Sequence, residues 1–292
     1  MRLITSYRPT RAKQKTRRHW WVMMAILLAV AGGVWWLRSG EVLSPAGVIT
    51  ESKPKPLPQP PKPDAGLQTI MATWAKEHPE HQWSIVIREL KNGEKFADYQ
   101  ADKVYEAASI YKLFLTYLLF QKVDLGQISD VSVSSQGRSW PLDYCLDLAL
   151  RISDNPCAWA IGNYTGWTSS NPVLTAAGFK STQLDITNGH RSSALDTANL
   201  LEGLYKAQLY TPEARDYLLA ILKKQLYNKG IPVGCSGCEV ANKTGDLPSV
   251  RHDAAIVTYG DKTYLLVIFT DGATYAQIAE LAGQIHTYLS RI

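Results

Sequence analysis

Outside its first nineteen residues, this chain of 292 residues has no excess of positive charge. Residues 1–19 contain seven basic residues and no acidic one, whereas the net charge of the whole chain is only +5. The remaining positions therefore hold 24 basic and 26 acidic residues. Proteins that bind nucleic acid usually carry a basic surface on the folded domain itself. The charge distribution therefore argues against nucleic acid as a partner.

Repeats, low-complexity stretches and cysteines are also absent or scarce in residues 66–292. The lack of repeats predicts one large domain over these 227 residues. The four cysteines include one C-x-x-C pair, Cys235 and Cys238, which alone offers too few ligands for a structural zinc site and lacks a thioredoxin-like context. We therefore expect no metal and no organic cofactor.

One long apolar run is present near the start of the chain. Residues 20–37 are 18 uncharged, mostly apolar residues with a tryptophan pair at each end, which is typical of a transmembrane helix with interfacial anchors. The basic arm would then stay in the cytoplasm, and everything after Arg38 would lie outside. A cleaved signal peptide is the alternative, because Ala29-Val30-Ala31 fits a cleavage site. Both interpretations place the following domain outside the cytoplasm.

Residues 38–65 are predicted to be an extracytoplasmic linker. Six of the ten residues from 54 to 63 are proline, which favours extended polyproline II structure and excludes a packed fold. At ~3.1 Å per residue, the whole linker would span roughly 80 Å. This length would lift a domain well off a membrane surface, and it would equally suit a plain spacer.

The rest of the chain predicts an antiparallel α+β fold. Strand patterns occur at both ends and helical patterns between them, so the first and last parts should meet in one sheet, with the helical middle as a second lobe. Turns are predicted at 91–93 and 260–261. The predicted helices lie near 67–77, 108–123, 141–165, 171–178, 193–207, 212–223 and 273–291, and the predicted strands near 83–90, 95–99, 239–243, 254–259 and 264–269.

Three short motifs follow one another in this region. They are Ser109-x-x-Lys112, Ser153-Asp154-Asn155 and Lys243-Thr244-Gly245. A single S-x-x-K match carries little weight, since residues 52–55 also fit it within a proline run that cannot form a helix. The ordered set of three is much more specific.

The first motif has a chemical rationale. Ser109 and Lys112 lie at positions i and i+3, so a helix places both on one face, and its first turn favours a developing negative charge. Lysine can serve as the base for a serine nucleophile if burial and a second cation disfavour its protonated form. Lys243 is the candidate for that cation.

The three motifs in this order resemble the active site of class A β-lactamases and penicillin-binding D,D-peptidases. The resemblance covers residues 66–292. It implies a five-stranded antiparallel sheet flanked by the terminal helices, beside an inserted all-helical lobe, in a monomeric catalytic domain. It also implies a serine acyl-enzyme hydrolase that needs no cofactor.

The resemblance assigns roles to the motif residues. Ser109 would be acylated, Lys112 would activate it, and Ser153 would relay a proton to the leaving nitrogen. Asn155 would hold a side-chain carbonyl of the substrate. Asp154 is expected to be structural.

The third motif would bind the substrate's carboxylate. Lys243 and Thr244 would contact it, and Gly245 would leave room for the substrate backbone. The backbone N–H groups of Ser109 and Asp246 would form the oxyanion hole.

Arg251, eight residues beyond Lys243, has two interpretations. It either reaches the same carboxylate from the neighbouring strand or is a solvated arginine at a strand end. Both stay open at this point.

Cysteines in an exported domain usually form disulfides. Cys145 and Cys157 flank the second motif, so we predict that they pair and brace the loop that presents Ser153. For Cys235 and Cys238, a small local disulfide is the first interpretation and free thiols are the second.

One departure leaves the substrate open. Class A enzymes have a loop glutamate, in an E-x-x-L-N motif, that activates the deacylating water, and residues 184–196 contain no glutamate. Residues 189–196 look more like the shorter loop of some D,D-peptidases. His190 is interpreted as a surface-loop histidine, and it and Asp185 are alternative groups for activating the water.

Three functions therefore remain. The first is β-lactam hydrolysis at Ser109, with slow deacylation. The second is D,D-carboxypeptidase activity on D-Ala-D-Ala peptides of the cell wall. The third is a β-lactam sensor or wall-binding module that is acylated without turnover.

Overall fold

A five-stranded antiparallel sheet organises the described part of the chain. The structure is a computed structural model that describes residues 62–91, 93 and 95–291. The basic arm, the apolar run, nearly all of the linker and Asn92 of the predicted turn lie outside these residues. Among the helices that are described, none is long and apolar enough to cross a membrane.

The strands within these residues form one large sheet and two small ones. The large sheet has the order β2-β1-β9-β8-β7, and the pairs β3-β6 and β4-β5 form the small sheets. The prediction that the two ends of the domain meet in one sheet is confirmed, because β1 pairs with β9 along its whole length. The strands are β1 (Gln82–Glu89), β2 (Phe96–Tyr99), β3 (Val104–Glu106), β4 (Ser132–Ser135), β5 (Arg138–Pro141), β6 (Arg191–Ser193), β7 (Glu239–Asp246), β8 (Val250–Tyr259) and β9 (Lys262–Asp271).

The helices cover both faces of the large sheet. In the part of the chain that the structure describes, three 3₁₀ turns accompany them, at Ala108–Ile110, Leu125–Gln127 and Trp167–Ser170. The α-helices are α1 (Ala65–Glu77), α2 (Tyr111–Phe120), α3 (Leu142–Arg151), α4 (Asn155–Thr165), α5 (Asn171–Ala176), α6 (Ala194–Tyr205), α7 (Pro212–Leu222), α8 (Ile231–Gly234) and α9 (Tyr275–Arg291).

Two hydrophobic cores result, one on each face of the sheet. Ile85 and Ile87 of β1 lie in the core that α1 and α9 cover, whereas Val86 between them lies in the core of the helical lobe. Successive side chains of a strand point to opposite faces. A strand that is buried on both faces therefore reads as a continuous apolar run, as β1 does.

The helix that contains Lys112 of the first motif differs from the predicted helix over 108–123. It begins as a 3₁₀ turn at Ala108–Ile110 and is α-helical only from Tyr111 to Phe120, instead of reaching 123. The four short strands β3, β4, β5 and β6 were not predicted either, because three or four residues are too few to show a clear alternating pattern. The capping box predicted at Ser193 is confirmed on the serine side, since Ser193 Oγ accepts a hydrogen bond from the Asp196 N–H at 3.1 Å.

Both predicted disulfides are present. The bond between Cys145 and Cys157 joins α3 to α4 across the loop of the second motif, and the bond between Cys235 and Cys238 lies just before β7.

Removal of the first disulfide should lower stability. We expect Cys145→Ala/Cys157→Ala to lose roughly 3 kcal/mol of unfolding free energy, because the bond closes a loop of about 13 residues in the unfolded chain. Denaturant unfolding of the variant and of the parent measures the difference. An unchanged transition midpoint would show that the bond does not constrain the unfolded chain.

Candidate active site

The 3₁₀ turn at Ala108–Ile110 presents Ser109 at the start of α2. Ala108, the residue before it, has a left-handed φ of 43°, which is unfavourable for a side chain larger than glycine. Such backbone strain often accompanies functional sites. The strand β7 holds the turn from one side, and the loop after α5 holds it from the other through a 2.8 Å hydrogen bond from the Ala107 N–H to the His190 carbonyl.

Gly245 allows β7 to approach this turn closely. A Cβ atom at Gly245 would lie 3.1 Å from the Ala107 carbonyl oxygen and from side-chain atoms of Ala108 and Ile110. From the sequence, this glycine is expected to leave room for a substrate backbone. The structure adds a second reason for the glycine, which is the packing of β7 against the serine turn.

Lys112 occupies the centre of the site. Its Nζ lies 3.1 Å from Ser109 Oγ and 3.0 Å from Ser153 Oγ, and it donates to the Ser153 carbonyl at 2.6 Å and to Asn155 Oδ1 at 2.8 Å. The Ser153 carbonyl and Asn155 Oδ1 can only accept hydrogen bonds, so each receives one hydrogen from the lysine. A neutral Lys112 has two hydrogens, and its lone pair is then free to accept a hydrogen bond from one of the two serine hydroxyls.

Lys243 approaches Ser153 from the opposite side. Its Nζ donates to Ser153 Oγ at 3.0 Å and to the Thr244 carbonyl at 2.9 Å. The hydroxyl of Ser153 therefore lies between the two amines. The structure thus brings together the four residues that the sequence analysis proposed as catalytic, Ser109, Lys112, Ser153 and Lys243.

The loop between α3 and α4 positions Ser153 and Asn155. Ser153 has a left-handed φ of 58°. Asp154 caps α4 by accepting a 2.8 Å hydrogen bond from the Cys157 N–H, which is the structural role expected for it. The disulfide at Cys157 braces the same loop.

Burial shifts the titration of both lysines. The side chains of Lys112 and Lys243 are 1% and 0% exposed. Burial lowers the pKa of Lys112 to about 8, against a smaller opposing effect of Asp154. Burial, and then repulsion by Lys112, hold the pKa of Lys243 well below its usual range. At pH 7, about a tenth of Lys112 would be in the neutral form that a base requires.

This pKa predicts the pH dependence of serine acylation. The rate constant for acylation by a penicillin should rise about tenfold per pH unit at low pH and level off above pH about 8, because deprotonation supplies the base. Stopped-flow measurement from about pH 6 to about pH 10 tests this. Lys112→Arg, which cannot deprotonate, should acylate roughly 10²–10⁴-fold more slowly. A midpoint near the ordinary lysine pKa would contradict the expectation.

An open cleft of about 410 Å³ leads to the serine. It is lined by Ser109, Ser153, Leu226, Tyr227, Lys229, Thr244, Asp246 and Tyr275. Four of these were not predicted from the sequence: Leu226, Tyr227, Lys229 and Tyr275. No motif marks them, because they reach the cleft from the loop after α7 and from the start of α9. Tyr275 Oη also donates to the Gly245 carbonyl at 3.0 Å, which ties α9 to β7.

Arg251 lies opposite Asp246 in the register of β7 and β8. Its Nε lies 3.2 Å from the Asp246 carboxylate, and its Nη1 donates to the carbonyl oxygens of Leu247 and Val250. These contacts hold the guanidinium at the strand end beside a residue that lines the cleft. A role in binding a carboxylate remains a prediction.

The loop from 184 to 190 contains Asp185 and His190, the two residues that the sequence suggested as alternative groups for activating water. Asp185 accepts hydrogen bonds from the backbone of Thr187 and Asn188 and from the Asn188 side chain, and these, the side-chain bond most, lower the pKa of Asp185. A carboxylate held in this way is a weak base, because its lone pairs are occupied and its ionised form is stabilised.

His190 is not the surface histidine that the sequence suggested. It is half-buried between Tyr111 and Trp167, with ring centroids 4.0 and 5.3 Å away. Burial lowers the pKa of His190 to about 4, so the ring is neutral at pH 7. Its Nδ1 accepts from the Asp185 N–H at 3.1 Å, which places the ring proton on Nε2. In this tautomer Nε2 is a donor and cannot take a proton from water.

Comparison with protein families gives a match over most of the described chain. The model of the Beta-lactamase enzyme family matches residues 65–289. Comparison with curated proteins gives no match.

Solved structures show the same fold at low identity. PBP-A is similar with a TM-score of 0.71 and 19% identity over 80% of this chain and 99% of that one. A single-residue mutant of PBP-A, in an acyl-enzyme complex with penicillin-G, has a TM-score of 0.70 and 20% identity over 80% and 100%. A β-lactamase from Chitinophaga pinensis DSM 2588 has a TM-score of 0.68 and 19% identity over 77% and 100%. At these identities the likeness establishes the fold.

Proposed function

The chain belongs to the Beta-lactamase enzyme family, and on that premise we propose that it is a serine acyl-enzyme hydrolase with Ser109 as its nucleophile. One observation carries the proposal. The amine of Lys112 lies 3.1 Å from Ser109 Oγ and 3.0 Å from Ser153 Oγ, and the amine of Lys243 lies 3.0 Å from Ser153 Oγ on its other side. This continuous path joins the nucleophile to a hydroxyl that can protonate a leaving group.

Acylation follows from this path. Ser109 Oγ attacks the carbonyl carbon of a β-lactam or a peptide, and its proton passes to Lys112 Nζ. The negative charge on the carbonyl oxygen is stabilised by the backbone N–H groups of Ser109 and Asp246, two residues that line the cleft. When the C–N bond breaks, Ser153 gives its proton to the leaving nitrogen and is reprotonated from the lysines.

Substrate binding uses the remaining groups. Asn155 Oδ1 is engaged by Lys112, which leaves the Nδ2 hydrogens for a side-chain carbonyl of the substrate. Lys243 and Thr244 bind the substrate's carboxylate, with Arg251 as a further cation at the end of the neighbouring strand. A penicillin and an acyl-D-Ala-D-Ala peptide both carry a side-chain carbonyl and a carboxylate, so one site accepts both.

We infer that deacylation is the slow step with a β-lactam. Among the described residues of the 184–196 loop, Asp185 is hydrogen-bonded within the loop and His190 offers no free lone pair in its tautomer. Slow release of a bound β-lactam favours D,D-carboxypeptidase activity as the second candidate. Such peptidases are inhibited by β-lactams because their β-lactam acyl-enzymes are hydrolysed slowly. Acylation without turnover would instead suit a sensor.

A side-by-side assay separates these functions. The purified full chain is incubated with a chromogenic β-lactam and with a D-Ala-D-Ala peptide, and release of product is followed for each. We expect a stoichiometric burst with the β-lactam and sustained release of D-alanine from the peptide. Sustained rapid β-lactam hydrolysis would favour a β-lactamase, and no release of D-alanine would favour a sensor.

We also propose that residues 20–37 anchor the chain in the membrane, with the catalytic domain on the outer side. Support comes from the apolar composition of these residues and from the basic arm before them. Membrane fractions of expressing cells should retain the full-length chain after an alkaline carbonate wash. A shortened chain in the medium or periplasm, beginning near Gly32, would show signal-peptide cleavage instead.

A further inference from the structure

A second cluster of reactive side chains lies before the start of β7. The ligand atoms of Cys235, Cys238 and His286 all lie within 4.8 Å of one another. The imidazole Nδ1 and Nε2 of His286 are 3.9 and 4.0 Å from Cys238 Sγ. The hydroxyl of Tyr264 completes the cluster, 3.7 Å from Cys235 Sγ and 3.3 Å from His286 Nδ1.

Packed helices hold this cluster together. Gly234, at the end of α8, lies so close to α9 that a Cβ atom there would be 2.3 Å from the Ala279 carbonyl oxygen. His286 lies two turns further along α9 from Ala279, on the same side of the helix. The edge of the Tyr259 ring contacts the imidazole, with centroids 4.8 Å apart. The positions of the three ligands are therefore set by elements of the fold and not by a free loop.

The cluster is shielded but accessible. Cys235 is buried, whereas Cys238 and His286 are half-buried. Cys238 also lines a surface cleft of about 330 Å³ together with Glu239 and Val240. A small ion can enter from solvent by this route.

We propose that Cys235, Cys238 and His286 bind one zinc ion when the two cysteines are reduced, and that the zinc-bound state and the disulfide are alternatives. Two thiolates and one imidazole nitrogen are a common ligand set for zinc, with the fourth position open to water or to the Tyr264 hydroxyl. The sequence offered only two of these ligands. The third lies 48 positions away from Cys238, and only the packing of α9 reveals it.

The disulfide is converted to the zinc-bound state by reduction followed by metal binding. A phosphine or dithiol reductant supplies two electrons to the disulfide, the S–S bond breaks, and two protons from solvent complete the two thiols. Zn²⁺ then displaces both thiol protons, which return to solvent, because only the thiolates are ligands. In the disulfide form neither sulfur carries a charge, so the zinc site does not exist. Strand β7, which carries Lys243, begins at Glu239, so the cluster lies directly before this strand.

The test uses the full chain in detergent, with zinc itself as the probe. The chain is reduced with a phosphine, equilibrated with Zn²⁺ against a chelating dye, and compared with Cys235→Ser/Cys238→Ser, which keeps the other cysteine pair. We expect the reduced parent to bind one zinc ion per chain more than this variant, and the oxidised parent to bind none at this site. His286→Ala should weaken the zinc affinity by at least about 10- to 100-fold, the loss typical of a mere supporting partner. His81→Ala serves as the matched control. His81 directly precedes β1, and its loss should leave the zinc affinity unchanged.

Cobalt substitution and alkylation supply independent readouts. Co²⁺ in the reduced parent should give thiolate-to-cobalt charge-transfer absorption that Cys235→Ser/Cys238→Ser lacks. Equal zinc binding by the parent and this variant, or an unchanged affinity in His286→Ala, would overturn the proposal. So would peptide mapping that shows both cysteines still joined in the folded chain after phosphine treatment, because the bond would then be a permanent structural disulfide. None of these results depends on Ser109.

Discussion

We expect replacement of Ser109 by alanine to abolish covalent labelling of the chain by a fluorescent penicillin. In the proposed mechanism the acyl bond forms at the Ser109 hydroxyl, which lies 3.1 Å from Lys112 Nζ and lines the cleft. The fold should be retained, because Lys112 keeps its hydrogen bonds to the Ser153 carbonyl and to Asn155. In-gel fluorescence, alongside the denaturant midpoint of the variant, measures both expectations.

Ser132→Ala is the matched control for this experiment. Ser132 is an exposed serine on β4, outside the cleft, and its loss should leave the labelling unchanged. Labelling that persists in Ser109→Ala would mean that another nucleophile forms the adduct.

We expect deacylation of the penicilloyl enzyme to take minutes or longer. General-base assistance is worth roughly 10²–10⁴-fold in rate, and neither Asp185 nor His190 is in a state to give it. The Asp185 carboxylate accepts hydrogen bonds from Thr187 and Asn188, and Nε2 of His190 carries the ring proton. A burst of one product per chain, followed by little turnover, is expected when a chromogenic β-lactam is mixed with the chain.

Variants of the loop identify the reason if turnover is fast. His190→Gln and Asp185→Asn should both leave the deacylation rate within a few-fold of the parent, since neither side chain is proposed to activate water. A drop in one of them that falls in the general-base range of about 10²–10⁴-fold would identify that residue as the base. The β-lactamase function would then rank above the peptidase.

The sequence predicted the features of this protein that follow from local patterns. Motif residues such as Ser109 and Lys243 could be found because each motif is short and lies within one helical turn or one strand. The large sheet could be predicted because strand patterns lie at both ends of the domain. The pairing of Cys145 with Cys157 could be predicted because the two flank one short loop.

Features that depend on contacts between distant segments could not be predicted in this way. Tyr275 and Lys229 reach the cleft from separate elements that no motif marks. The close approach of Gly245 to the serine turn depends on how β7 packs, and the neighbourhood of His286 depends on how α9 packs. His190 looked like a surface residue because its loop is polar in sequence, yet Tyr111 and Trp167 enclose the ring.

The position of the acyl bond tests the central claim most directly. The full chain is mixed with penicillin, quenched with acid, digested with a protease and mapped by mass spectrometry. We predict one penicilloyl group per chain, on the peptide that contains Ser109, with fragment ions that place the added mass on Ser109 itself. An adduct on any other residue, or an unmodified Ser109 peptide after prolonged incubation with excess penicillin, would contradict the assignment of Ser109 as the nucleophile.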